Sequence, residues 1–320
     1  MNKLTFPLLL SLAGVALLSG CKKESNGSTP EPGTLVTPRI AALEETLSFS
    51  GALEIYPCKA GTTLYYGNYY NSQLSFVDAM YTIANGDVST ALRPMTLPIG
   101  EYNMIYWGVS QAQQGVSYAA GAVRDPSISL NQDLSTQSYT LRKYSGSDTT
   151  YYPVYDFVFA TQPVDIGSQD IAVTLHRVVA GLSVVLQKDD NTQLDSEIAS
   201  INAMVGGVSN GLNFATGEAT GQPWRTVRFP LSLSDDNMTA SNPVVLLFPT
   251  TENPPLKVVL TLKDGTTRTY RSTLANTLSA NTKLTVTINI GTIFDSETEA
   301  GGFEVNQWDE KTETITPTAE

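Results

Sequence analysis

The sequence predicts an all-β chain: two tandem antiparallel β-sandwich domains with short helical insertions. Three observations carry that prediction. Hydrophobic residues are 41% of the 320 and charged residues only 16%, while Gly, Ser, Thr, Asn and Tyr are plentiful, the make-up of a β-rich chain. Apolar and alternating runs follow one another at close spacing with little helical period between them, which favours antiparallel sheets over a parallel sheet wrapped in helices. The short polar segment from Pro163 to Asp170, with its Pro and Gly, splits the chain into halves of sandwich size. The expected domains are therefore 40–166 and 167–293, followed by a tail at 294–320. With 31 acidic against 19 basic residues the net charge is −12, and such a surface repels phosphate backbones, so no nucleic-acid partner is expected.

The chain opens with an address. Met1-Asn2-Lys3, an apolar run from Leu4 to Leu18 and small residues before Cys21 describe a secretory signal over 1–20. The run falls short of the ~20 residues a spanning helix needs. Leu18-Ser19-Gly20-Cys21 is similar to the bacterial lipobox, which makes Cys21 the expected lipidation site and the first residue after cleavage. The alternative is an ordinary secretion signal with an incidental Cys. A diacylglycerol thioether anchors firmly, since each buried methylene contributes ~0.8 kcal/mol. Residues 22–37 are rich in Ser, Gly, Pro and charge without periodicity, a flexible linker.

Strands follow in order. Gly100–Gly108 alternates polar with aromatic or apolar residues and reads as a half-buried strand, and Tyr155–Ala160 as another. Ile171–Leu186 is long and β-branched, with a bend expected at Gly181. Val244–Pro249 reads as a run buried on both faces. Leu256–Leu262 and Thr267–Tyr270 flank Asp264-Gly265, whose tolerance of positive φ makes this the clearest hairpin. Lys283–Ile290 alternates cleanly. Helix is least excluded at 71–84 and 195–204, where the short insertions are expected.

The same residues offer little chemistry. The one His, His176, sits in a strand without any Gly-Xaa-Ser-Xaa-Gly elbow, and a packing role outweighs a catalytic one. Cys58, the second of two cysteines, lies in an apolar context and reads as a buried thiol. There is no Gly-rich phosphate loop with its Lys and no Cys/His metal cluster, so neither enzymatic activity nor a cofactor or metal is expected. Tyr65–Tyr70 and Tyr151–Tyr155 are either strand residues or stacking platforms for sugars, through Tyr69 or Tyr155 in particular. That second option gives the rival reading, a surface glycan-binding lipoprotein. Asp148-Thr149-Thr150 is similar to the O-glycosylation sequon of Bacteroidetes, with Thr149 the candidate acceptor.

A lipobox, a Ser/Gly/Pro linker and two β domains together resemble the fimbrillin-like (FimA/Mfa) pilins and lipoproteins of Bacteroidetes. The resemblance is carried by Val173–Leu186 with its His176-Arg177-Val178-Val179-Ala180 motif, by Leu246–Thr250, and by the closing strands Lys263–Thr266 and Leu278–Val286. It implies transthyretin-like sandwiches and export to the outer membrane through lipid on Cys21. It also implies assembly with other fimbrial subunits by strand exchange into an adhesive fimbrium that meets a host or bacterial surface. In that family an Arg-specific protease removes an N-terminal segment, and Arg39 is the matching candidate, ending a lipidated linker or propeptide at 21–39. The strand lent to a neighbour would come from the tail, through Phe303, Val305, Trp308 and Ile315, which do not keep one strict alternation.

Overall fold

The computed structural model describes residues 33–40, 49–85, 87–110, 123–144, 149–167, 170–291, 309–315 and 318–319. In chain order the strands are β1 (Leu35–Val36), β2 (Gly51–Lys59), β3 (Asn68–Tyr70), β4 (Gln73–Ser75), β5 (Ala79–Ala84), β6 (Asp87–Arg93), β7 (Leu97–Pro98) and β8 (Gly100–Ser110). Next come β9 (Val123–Arg124), β10 (Ser138–Leu141), β11 (Phe157–Ile166), β12 (His176–Arg177), β13 (Ala180–Lys188), β14 (Ile198–Val208), β15 (Gly211–Asn213) and β16 (Ala219–Thr220). The last are β17 (Arg225–Leu233), β18 (Thr239–Ser241), β19 (Val245–Leu247), β20 (Pro255–Leu262), β21 (Thr267–Thr273), β22 (Thr282–Ile290), β23 (Asp309–Ile315) and β24 (Thr318–Ala319). The chain is all-β, built from packed and mainly antiparallel sheets.

Helical insertions are not found where they were expected. Residues 71–84 hold β4 and β5, and residues 195–204 run into β14. The period decides it: in β5, Ala79, Tyr81 and Ile83 are buried while Met80 and Thr82 are half-buried, an alternation of two. Among the described residues the one helical turn is a 3-10 turn at Leu134–Thr136, capped by Asp133.

Six strands form one sheet in the order β12-β11-β8-β2-β5-β6. β8 is not half-buried as its alternation suggested. Met104 to Gly108 is buried throughout, because Met104 and Tyr106 enter one core and Ile105 and Trp107 enter another on the opposite face. The second large sheet runs β23-β22-β13-β18-β17-β14-β20-β21-β24, with β19 on β13. Its β20–β21 hairpin turns at Asp264-Gly265 as expected: Gly265 takes φ +85°, and Asp264 Oδ1 accepts from Thr266 N at 2.8 Å.

The segment 171–186 is not one strand. Ile171, Val173 and Leu175 are buried in the core that holds Met104 and Tyr106, whereas Ala180, Leu182, Val184 and Leu186 are buried in the core of Trp107. The chain changes partners between them, so the bend falls at Val179 rather than at Gly181.

A small sheet, β16-β15-β10-β9, ties residues on both sides of 167 together. A Cβ on Gly211 would lie 2.1 Å from the carbonyl O of Tyr139, so the approach of β15 to β10 requires glycine. Beneath it Trp107 Nε1 donates to the carbonyl of Phe214 at 2.9 Å. The rings of Tyr139, Phe157, Phe159 and Phe214 surround the indole at centroid distances of 4.9–6.0 Å.

Candidate functional site

Two edges of the fold are closed by the ends of the described chain. The N-terminal one is a short strap. β1 pairs β7 with Val36 opposite Leu97, and Ile99 N donates to the carbonyl of Thr34 at 3.1 Å. Past it, Ile171 N donates to the carbonyl of Arg39 at 2.9 Å, and Ile40 bridges Ile171 in parallel. Val36 and Ile40 pack against the core of Met104 and Tyr106. Arg39 itself points outward, 80% exposed, with its guanidinium 3.8 Å from the Asp170 carboxylate. An exposed pair at that distance contributes little, ~0–1 kcal/mol. The strap is held to β7 by a two-residue ladder.

The C-terminal closure is longer. β23 lies parallel to β22 over the whole stretch from Thr282–Asp309 to Ile288–Ile315, and β24 crosses to pair β21 through Tyr270 and Arg271. The tail thus covers an edge of this large sheet at β22 and another at β21. One side chain holds it that the sequence did not single out: Glu313, 3% exposed. Its carboxylate accepts from Ala275 N at 2.7 Å and from Asn276 N and Nδ2 at 3.4 and 3.5 Å. Its partners are 37–38 residues away in a loop, so no local pattern marks it. Of the predicted tail residues, Ile315 is the last of β23, opposite Ile288. Phe303, Val305 and Trp308 lie outside the described residues, as do Cys21 and Asp148. Thr149 is exposed.

The remaining candidates are placed as follows. Cys58 is fully buried and burial pushes its thiol up to about 12, far from the range of a nucleophile. His176 is exposed on β12 opposite Phe159. Its neighbour Arg177 makes a two-point ion pair with Asp156, both bonds 2.6 Å. Glu54 sits on β2 with its carboxyl raised to about 6 by burial, accepting from the Tyr56 hydroxyl at 2.6 Å. Tyr65 and Tyr69 are buried, which removes Tyr69 as a surface platform, while Tyr155 is half-buried against the Trp107 core. A cleft of about 820 Å³ opens beside β11, lined by Phe159, Gln162, Val173, His176, Gly217 and Ala280 among others. Among the described residues no group of three or more His, Cys, Asp or Glu is placed to hold a metal.

Residues 49–314 match the model of a protein family described as fimbrillin-A associated anchor proteins Mfa1 and Mfa2. No curated protein matches the sequence. Solved structures with a similar course of the chain include the fimbrial anchor protein Mfa2 from Porphyromonas gingivalis, at 12% identity and TM-score 0.41 over 74% of this chain and 80% of that one. A candidate cell adhesion protein from Bacteroides uniformis aligns at 14% identity and TM-score 0.45 over 88% of this chain and 96% of its own. A candidate adhesin from Bacteroides ovatus aligns at 10% identity and TM-score 0.47 over 74% and 82%.

Proposed function

The chain belongs to the family of fimbrillin-A associated anchor proteins, and on that premise we propose that it is a structural, non-catalytic subunit of a cell-surface fimbrium that joins its neighbours by exchanging edge strands. In this reading it is exported, acylated at Cys21 and held at the outer membrane until a cut after Arg39 frees it for assembly. The folded part comprises domains 40–166 and 167–293, and the tail 294–320 is the strand that is lent.

The observation that carries the reading is that both described chain ends pair as edge strands, β1 on β7 with Val36 against an apolar core, and β23 on β22. β1 is two residues long, and removing residues up to Arg39 takes Val36 off its core and opens the β7 edge. An edge with unpaired N–H and C=O groups pairs readily with an incoming strand. β23 is held by a parallel ladder, slightly less stable per residue than an antiparallel one. Buried Cys58, a solvent-facing His176 on a strand and a carboxyl at Glu54 tied to a tyrosine support a role without bond-making.

Protein isolated from cells tests the route. Intact mass and terminal sequencing are expected to give acylated Cys21 in the membrane-held form and a free Ile40 in the assembled form. An unmodified Cys21 in membranes, or an uncut chain in fimbriae, contradicts it.

A further inference from the structure

The cleft beside β11 lies where three separate parts of the chain meet. β11 and β12 form one part, the turn between β15 and β16 a second, and Pro249 with Ser279 and Ala280 the third. Its volume of about 820 Å³ falls within the ~300–1,000 Å³ of sites that hold small molecules. No residue of β1, β7, β22 or β23 lines it, so the cleft stands apart from the strands that are exchanged.

Two of these parts are held firmly. In the turn, Asn213 Oδ1 accepts from Ala215 N at 2.9 Å and from Thr216 N at 3.1 Å, and Asn213 N donates to the carbonyl of Glu218 at 2.8 Å. Gly217 takes φ +70°, and a Cβ there would lie 2.6 Å from a ring carbon of Phe159, so the turn packs this closely on β11 only with glycine. On β12, the two-point bond from Arg177 to Asp156 fixes the strand that carries His176.

The side chains presented there are unspent. His176 and Glu218 both line the cleft and are exposed, and among the described residues the imidazole has no hydrogen-bond or ion-pair partner. The Glu218 carboxylate has one contact, from the Thr216 hydroxyl at 3.5 Å, too long to count for much. No ion pair joins His176 to Glu218, so the space between them is open to a guest. Thr161, Thr174 and Ser279 add exposed hydroxyl residues, while Phe159, Val178 and Pro249 supply the apolar part of the lining.

We infer that this cleft binds a short neutral oligosaccharide, with its hydroxyls on His176 and Glu218 and the C–H face of a ring against the apolar lining. An imidazole donates and accepts, and a carboxylate accepts from neighbouring hydroxyls, so the set suits a polyol. One unpaired carboxylate and one imidazole are too little charge to select an ionic ligand. An extended peptide is the poorer fit, because the edge strand on this side, β12, is two residues long and offers too short a ladder. Tyr69 and Tyr155 take no part.

The test screens the full chain against an array of neutral di- to tetrasaccharides, cellobiose, lactose and maltotriose among them, beside hyaluronate and a peptide spanning 303–315. Saturable binding to at least one neutral sugar is expected. Glu218→Gln should weaken it about tenfold by turning a charge-assisted bond into a neutral one, and His176→Ala severalfold. Ala280→Trp, which fills the cleft from an exposed position, should abolish it, with circular dichroism unchanged in all three variants. Trp224→Ala removes an exposed ring outside the cleft and should change nothing. No saturable binding on the array, binding untouched by both Glu218→Gln and Ala280→Trp, binding lost with Trp224→Ala, or binding confined to hyaluronate or to the peptide would each overturn the proposal.

Discussion

Replacing Glu313 with Ala tests whether the tail is a latched strand that can leave without the sandwich unfolding. The carboxylate makes one short bond, to Ala275 N at 2.7 Å, and two contacts of 3.4 and 3.5 Å to Asn276. The last two exceed the usual N–H···O range and count for little. A bond to a charged acceptor contributes ~1.5–3 kcal/mol, and its loss leaves the Ala275 N–H without its partner. We therefore expect about 2.7 kcal/mol for Glu313→Ala, which at 1.36 kcal/mol per decade is ~100-fold in the opening equilibrium. Glu313→Gln keeps one neutral bond of ~1 kcal/mol and should lose roughly twentyfold. Amide hydrogen exchange with peptide-level mass readout separates the cases: residues 309–315 should lose protection by those factors, while β13 and β14 keep theirs. Unchanged exchange in the tail, or an equal loss over the whole sheet, would refute the latch.

Three further outcomes follow from named contacts. Trp107→Ala removes a fully buried indole and its bond to Phe214 and should cost ~3–5 kcal/mol in denaturant unfolding. Although that indole joins segments 107 residues apart, the β10–β15 ladder still ties them in the variant, which should therefore unfold in one transition; two separated transitions would show the halves to be uncoupled. Glu54 is raised from 4.5 to about 6 in the fold, so folding favours its protonated form. Its cost, ~2 kcal/mol, is fully present above pH 6, shrinks as pH falls from 6 to 4.5 and is absent below. Glu54→Gln should accordingly stabilise at pH 7.5 and not at pH 4, and an equal effect at both pH values would contradict the assignment. Finally, in a chain starting after Cys21, Cys58 should ignore a thiol-disulfide reagent at pH 8 and react fully in guanidinium; rapid reaction of the native protein would contradict its burial.

How far the residues alone disclose this molecule depends on the range of the interaction. The β20–β21 hairpin is legible because Asp264-Gly265 and the flanking alternation are both local. The run 244–249 reads as buried on both faces because it is apolar throughout; Val245 to Phe248 are buried, while Val244 and Pro249 at its ends are half-buried. Residues 71–84 and 195–204 misled because short polar-apolar mixtures fit either period until a neighbouring strand selects one. The break in 171–186 was hidden for a related reason: both pieces alternate, and only the existence of two cores shows that they alternate into different ones. Glu313 was not legible, since an acidic residue among Thr and Glu gives no sign of a loop 38 residues away that needs an acceptor.

Strand exchange is tested most directly by the protein beginning at Ile40, without the strap that covers β7. Size-exclusion chromatography and electron microscopy of that protein at increasing concentration should show oligomers or filaments, and deleting 294–320 should return it to monomers. A monomer at every concentration, with no uptake of an added peptide spanning 303–315, would contradict the account.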